Sequence, residues 1–178
     1  MIPDYTKVHN RFKLDGVSYN REDLMEVAYS FVKEGFPYQE QLGLFLLDWL
    51  DKKDHLIVQT SGSTGIPKLI TLKKEHMVNS AVATGIYFKL EPKSTALLCM
   101  SANFIAAKMM LVRAMVLGLH ITAIPVSSNP LEGINKEFNF CAMVPLQLQN
   151  SIGKLKFIKK IIVGGAPMSN TLKEEVQS

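Results

Sequence analysis

The residues best equipped for chemistry in this chain form one run, Thr60-Ser61-Gly62-Ser63-Thr64-Gly65-Ile66-Pro67-Lys68. Gly62 and Gly65 let the backbone turn at positive φ and approach a ligand closely, so that successive N–H groups can line an anion-binding nest. Ser61, Ser63 and Thr64 add hydroxyls, and Lys68 adds a cation. A hydrogen bond to a charged partner contributes roughly 1.5–3 kcal/mol, so several converging donors could hold a polyphosphate without a deep pocket. The run is not a Walker loop, which ends in Gly-Lys-Ser/Thr and opens a helix. Here Pro67 separates glycine from lysine, and Leu69-Ile70-Thr71-Leu72 alternates as a strand does. The plain alternative is a solvated polar turn between strands; the density of hydroxyls and the lysine favour phosphate.

The elements that must position this run predict an α/β fold. Apolar residues recur at helical spacing in Leu24, Val27, Ala28, Phe31 and Val32, and again in Leu42, Phe45, Leu46, Trp49 and Leu50. Gly35-Phe36-Pro37 breaks the two helices apart. Ahead of them, residues 11–20 with Asp15-Gly16 at the centre read as a short hairpin. After Asp54, strand-like runs at 56–59, 96–100, 121–126, 140–144 and 161–163 alternate with helices over 75–88 and 105–117 and a short helix from Leu146. Such alternation predicts a largely parallel sheet covered by helices. Ligands of such sheets collect at the carboxyl ends of the strands. Residues 60–68 and the glycine turn 164–167 both follow predicted strands, which puts both turns on one sheet edge. The boundary falls near residue 52, with the hairpin and two helices in 1–52 and the α/β portion in 53–178.

Composition narrows the classes. The chain has 178 residues, 47% apolar, with a formal charge of +4, and a chain of this length buries about 70% of its unfolded surface. Lys154-Leu155-Lys156-Phe157-Ile158-Lys159-Lys160 is the densest basic stretch. Without a nucleic-acid module beside it, a solvated face leading into a strand is preferred to nucleic-acid binding. Cys99 and Cys141 lie in apolar strand-like runs and are expected as reduced core thiols. His9, His55, His76 and His120 lack metal-ligand spacing. No apolar leader follows Met1, and the longest apolar helical run, 109–119, is interrupted by Arg113 and falls short of the roughly 20 residues of a membrane span. The expected location is the cytoplasm, with no membrane partner.

Residues 60–68 match, at every fixed position, Thr-Ser-Gly-Ser/Thr-Thr-Gly-x-Pro-Lys, and so resemble the phosphate-binding signature of the adenylate-forming superfamily of acyl- and aryl-CoA ligases, luciferases and peptide-synthetase adenylation domains. His76, at the start of the next helix, and Val163-Gly164-Gly165-Ala166-Pro167, similar to the family's adenine-side strand and turn, agree in order. Ala102-Asn103-Phe104-Ile105-Ala106-Ala107-Lys108 through Arg113 resembles the acyl-pocket segment of o-succinylbenzoate-CoA ligases. Many relatives carry histidine and glycine where this chain has Phe104 and Ala107, so no role for that histidine carries over. The Tyr-Gly-x-Thr-Glu segment, ribose-binding aspartate, hinge and adenylation lysine of the longer family enzymes are not in this sequence. The chain stops at Ser178 inside an expected helix, and the expectation is an N-terminal portion of a ligase, inactive alone.

The resemblance implies a partial N-terminal ligase domain that uses ATP, Mg²⁺ and CoA on a small-molecule acid. Thr60, Ser61, Gly62, Ser63, Thr64, Gly65 and Lys68 would bind phosphate, with Lys68 and Thr64 acting in catalysis and Thr64 near the metal. Gly164, Gly165, Ala166 and Pro167 would wall the adenine, and Asn103, Phe104 and Arg113 would meet the acid. At about 100° per residue, Lys108 and Arg113 sit some 140° apart on their helix, so at most one faces a pocket. Arginine's planar fork suits a carboxylate, and o-succinylbenzoate keeps one free. Alternatives remain at each point: a structural arginine, Asn103 as a helix N-cap, a ligase for another aryl or fatty acid, or a non-catalytic nucleotide-binding module. A homo-oligomer is left open.

Overall fold

The computed structural model describes residues 3–60 and 68–177. Asp15 and Gly16 have φ of 51° and 86°, the left-handed pair that a tight hairpin turn requires, and they close β1 (Lys13–Leu14) on β2 (Val17–Ser18). The Asn20 side chain accepts the Asp23 N–H and so caps α1 (Arg21–Glu34). Pro37 opens α2 (Pro37–Leu50), where its missing N–H costs nothing. Next come β3 (His55–Thr60), β4 (Lys68–Lys73), α3 (Lys74–Phe88), β5 (Thr95–Leu98), α4 (Ile105–Leu117), β6 (His120–Ala123), β7 (Phe140–Met143), α5 (Pro145–Asn150), β8 (Ile161–Val163) and α6 (Asn170–Gln177).

Among the described residues the strands form two sheets. Six follow the order β2-β1-β6-β5-β7-β8, with every neighbouring pair parallel except the β1–β2 hairpin. The expected largely parallel, helix-covered sheet is therefore present. The hairpin joins it directly, since Lys13 pairs with His120 and Leu14 with Ile121 across the boundary drawn near residue 52.

One expectation is corrected. Among the described residues β3 and β4 pair only with each other, antiparallel, as a separate two-stranded sheet. Residues 60–68 and 164–167 therefore do not follow strands of one sheet. Alternation marks a strand but not its partner, and closing a short loop onto the next strand costs little chain entropy.

Side-chain alternation splits the core in two. Ala96, Leu98, Ile121, Phe140 and Ala142 point to one face and pack with Leu24, Trp49, Val78 and Met110 of the four long helices. Leu97, Cys99, Cys141 and Met143 point to the other, beneath Leu131, Phe138 and Ile158. Apolar on nearly every side, α4 is buried, with eight buried residues from Ala107 to Val116. Cys99 and Cys141 are free thiols with sulfurs 3.8 Å apart. The hydrogen bond with Cys99, then burial, push the Cys141 thiol well above its ordinary value, which suits an inert core thiol.

Candidate functional site

Strand order locates the site. From β5 the chain runs to β6 on one side, then returns to β7 on the other, so the carboxyl ends of β5 and β7 flank the switch point where open α/β sheets bind ligands. Three segments meet there: the loop from Cys99 to Phe104, Val144 after β7, and the turn 164–167 after β8.

Gly165 has φ of 87°, a conformation that favours glycine, and a Cβ there would lie 3.3 Å from Val144 Cγ1. The Gly164 N–H donates to the Met143 carbonyl at 3.1 Å, which prolongs the ladder into the turn. Gly164, Gly165, Ala166 and Pro167 are all exposed. Ser169 stops the turn by accepting the Leu172 N–H at the head of α6.

Asn103 and Phe104 also stand exposed at this edge, Phe104 at 60%. Asn103 is not the N-cap of α4. Phe104 takes that position, with φ of −101° and ψ of 148°, and no side chain caps the helix. The free N–H groups and positive dipole end of α4 thus open toward the carboxyl edge.

Arg113 lies eight residues beyond Ile105, about 12 Å along the helix axis. It is half-buried, its Nε has no hydrogen-bond partner, and burial pulls its pKa below the ordinary guanidinium value. Lys108 turns the other way: its ammonium sits 5.8 Å from the Phe45 ring centroid on α2. Burial lowers its pKa against the opposing pull of Asp48. The two cations diverge as their helical spacing requires.

Ser61, Gly62, Ser63, Thr64 and Gly65 lie outside the described residues, whereas Thr60 and Lys68 end β3 and start β4. The register pairs Thr60 with Lys68, bringing the two ends of the run together at a hairpin tip, and β3 packs on α4. The root of this hairpin is held firmly. Lys74 is fully buried, with its ammonium 2.7 Å from Asp51 Oδ1 and 6.0 Å from the Trp49 ring centroid. Desolvation raises the Asp51 pKa, but hydrogen bonds from Lys74 and the Lys53 N–H outweigh it and leave the carboxyl below its ordinary value.

Two polar contributors escaped sequence reasoning. Gln147 is buried; its Nε2 donates to the Cys99 and Ser127 carbonyls, both at 2.9 Å, and its Oε1 accepts the Val144 N–H at 3.3 Å. One amide thus ties together the loops after β5, β6 and β7. The Ser101 hydroxyl donates to Gln41 Oε1 at 2.6 Å and anchors the same edge to α2. Beside it a groove of about 470 Å³ is lined by Phe36, Pro37, Tyr38, Gln41, Pro125 and Val126. A glutamine has no periodicity to announce it, and the Gly-Phe-Pro break carried only a helix-boundary signal.

The fold agrees with known proteins. The sequence profile of the AMP-binding enzyme family matches residues 32–178, and the chain belongs to that family. An acyl-CoA synthetase (AMP-forming)/AMP-acid ligase II-like protein from Dyadobacter fermentans is 36% identical with a TM-score of 0.74, over 85% of this chain and 45% of that one. O-succinylbenzoate coenzyme A synthetase (MenE) from Bacillus subtilis, solved in complex with ATP and magnesium ion, is 23% identical with a TM-score of 0.60, over 68% of this chain and 27% of that one. E. coli MenE, bound to an analogue of OSB-AMS, is 14% identical with a TM-score of 0.65, over 93% and 53%. This chain thus spans less than half the length of the Dyadobacter protein. No curated protein matches the sequence.

Proposed function

We propose that this chain supplies the phosphate- and acid-binding part of an ATP-dependent acid-CoA ligase, with o-succinylbenzoate as the acid. The observation that carries the reading is the complete Thr60–Lys68 signature on a hairpin whose register sets its two ends opposite each other. In the first step a carboxylate oxygen attacks the α-phosphorus of MgATP and the bond to the β-phosphate oxygen breaks, releasing pyrophosphate. The thiol of CoA then attacks the acyl carbon and AMP leaves. Lys68 and the amides and hydroxyls of Ser61, Gly62, Ser63, Thr64 and Gly65 neutralise charge building on the leaving pyrophosphate, with Thr64 toward the metal. The exposed backbone of Gly164, Gly165, Ala166 and Pro167 gives adenine a flat wall.

Arg113 supports the choice of acid. Half-buried on an apolar helix, it has no acidic partner among the described ion pairs, and its depth below the head of α4 suits an elongated diacid. Asn103 and Phe104 would meet the acid at the helix head. The ligase works in the cytoplasm. A second reading, a ligase for another aryl or fatty acid, is favoured by the apolar groove at Phe36, Tyr38 and Val126.

A panel of carboxylic acids in ATP–pyrophosphate exchange with the full-length protein separates the two. We expect exchange to depend on o-succinylbenzoate; exchange with fatty acids alone would favour the second reading. Arg113→Leu should raise the KM for o-succinylbenzoate by about 30-fold or more, the loss of a buried charge contact of about 2–5 kcal/mol. The KM for ATP should stay nearly unchanged, and an analogue lacking the free carboxylate should lose far less. Equal losses for both acids would make Arg113 structural.

A further inference from the structure

Parallel strands gather their amino ends on one edge, opposite the candidate site. That edge is formed by Lys13 and the segments 89–94, 118–120, 136–139 and 152–160, which together hold eight lysines and two glutamates. The whole chain has a net charge of only +4, so the edge is more positive than the rest of the molecule combined. The segments are joined in space. The Lys160 ammonium donates to the Phe88 carbonyl, the Phe138 N–H donates to the Phe157 carbonyl at 2.8 Å, and the Lys93 N–H donates to the Gly118 carbonyl at 2.7 Å. Glu137 is taken by Lys159, at 3.1 Å.

Apolar groups project from the same edge. Ile86 and Tyr87, on the last turn of α3 beside Lys89 and the Lys160 contact, are 74% and 80% exposed. Phe157 carries the ammoniums of Lys154 and Lys156 at 5.5 and 5.4 Å from its ring centroid.

We propose that this amino edge is a peripheral docking face for an anionic lipid surface, with its lysines at the headgroups and Ile86 and Tyr87 entering between them. Charge complementarity calls for an anionic partner, and the apolar residues select among such partners. An exposed isoleucine offers nothing to a nucleic acid but gains by entering the headgroup region. The Phe157 ring, already occupied by two lysines, is no platform for a stacked base. No helix among the described residues is long and apolar enough to cross a membrane, so the contact is one of surface. This inference stands apart from the proposed ligase chemistry.

The test is sedimentation of the chain with vesicles of phosphatidylcholine, pure or with about a third phosphatidylglycerol, a proportion set by the need for a negative surface potential. We expect binding to the anionic vesicles at about 0.1 M salt, release at about 1 M, and none to the neutral ones. Lys154→Glu with Lys156→Glu should lower partitioning by about twentyfold or more, since each lysine at the surface is worth about fivefold. Ile86→Ser with Tyr87→Ser should lower it several-fold while leaving the salt dependence intact. Lys33→Glu, on α1, should change nothing, and circular dichroism confirms that each variant folds. Equal binding to neutral vesicles, no binding to anionic ones, or indifference to the lysine reversals overturns the proposal. So does a single-stranded oligonucleotide that binds more tightly than the vesicles, which would make nucleic acid the occupant.

Discussion

Two glycines with left-handed backbones, one at each edge of the six-stranded sheet, are held in opposite ways. Gly118, between α4 and β6, has φ of 72° and is buried, and a Cβ there would lie 2.4 Å from the His9 ring. Gly165, after β8, has φ of 87°, is exposed, and its nearest neighbour for a Cβ is Val144 at 3.3 Å. The amino edge is packed shut at its backbone and presents lysines outward. The carboxyl edge is open at its backbone, and the segments following its parallel strands, 99–104, 124–127, 144 and 164–169, contain no lysine or arginine. One edge presents cations, whereas the other presents bare peptide groups and a helix N-terminus.

Substitution should expose this difference. Gly118→Ala combines left-handed strain of about 1–2 kcal/mol with displacement of His9, whose N–H is bonded to the Met115 carbonyl. We expect a loss of about 2–4 kcal/mol in urea denaturation. Gln147→Leu strands the buried Cys99 carbonyl at the carboxyl edge and frees the Ser127 loop, and should lower stability by about 1–3 kcal/mol. If the proposed function holds, it should also weaken ATP binding by the full-length protein, because the loops it ties border the candidate site. Gly165→Ala should cost least, about 1 kcal/mol, with its main effect on the KM for ATP. A larger stability loss at Gly165 than at Gly118 would erase the contrast between a sealed edge and an open one.

Much of this was legible in the sequence. Helical periodicity located α1 and α2, and the Gly-Phe-Pro break separated them. Asp15-Gly16 marked the hairpin because few other pairs tolerate two left-handed residues. The Thr60–Lys68 run stood out by composition alone. What could not be read was pairing at a distance. Strand alternation at Leu56 and Leu69 did not say that those strands pair with each other, nor did Cys99 and Cys141 announce that their sulfurs meet. The roles of Gln147 and Lys74 rest on polar atoms brought to partners far away in the chain. Such contacts have no periodic signature. The lysines of the amino edge lie in separate loops, so only the parallel topology adds them into one face.

The proposed division of labour between the edges and the hairpin is tested most directly by acid-dependent ATP–pyrophosphate exchange in the full-length protein. Three proteins would be compared: the wild type, Lys68→Ala, and the double variant Lys154→Glu with Lys156→Glu. If Lys68 stabilises the leaving pyrophosphate, its loss should slow exchange by about 100-fold or more while barely raising the KM for the acid, and the double variant should exchange at the wild-type rate. Undiminished exchange by Lys68→Ala, or a comparable loss in the double variant, would contradict the assignment of phosphate chemistry to the hairpin.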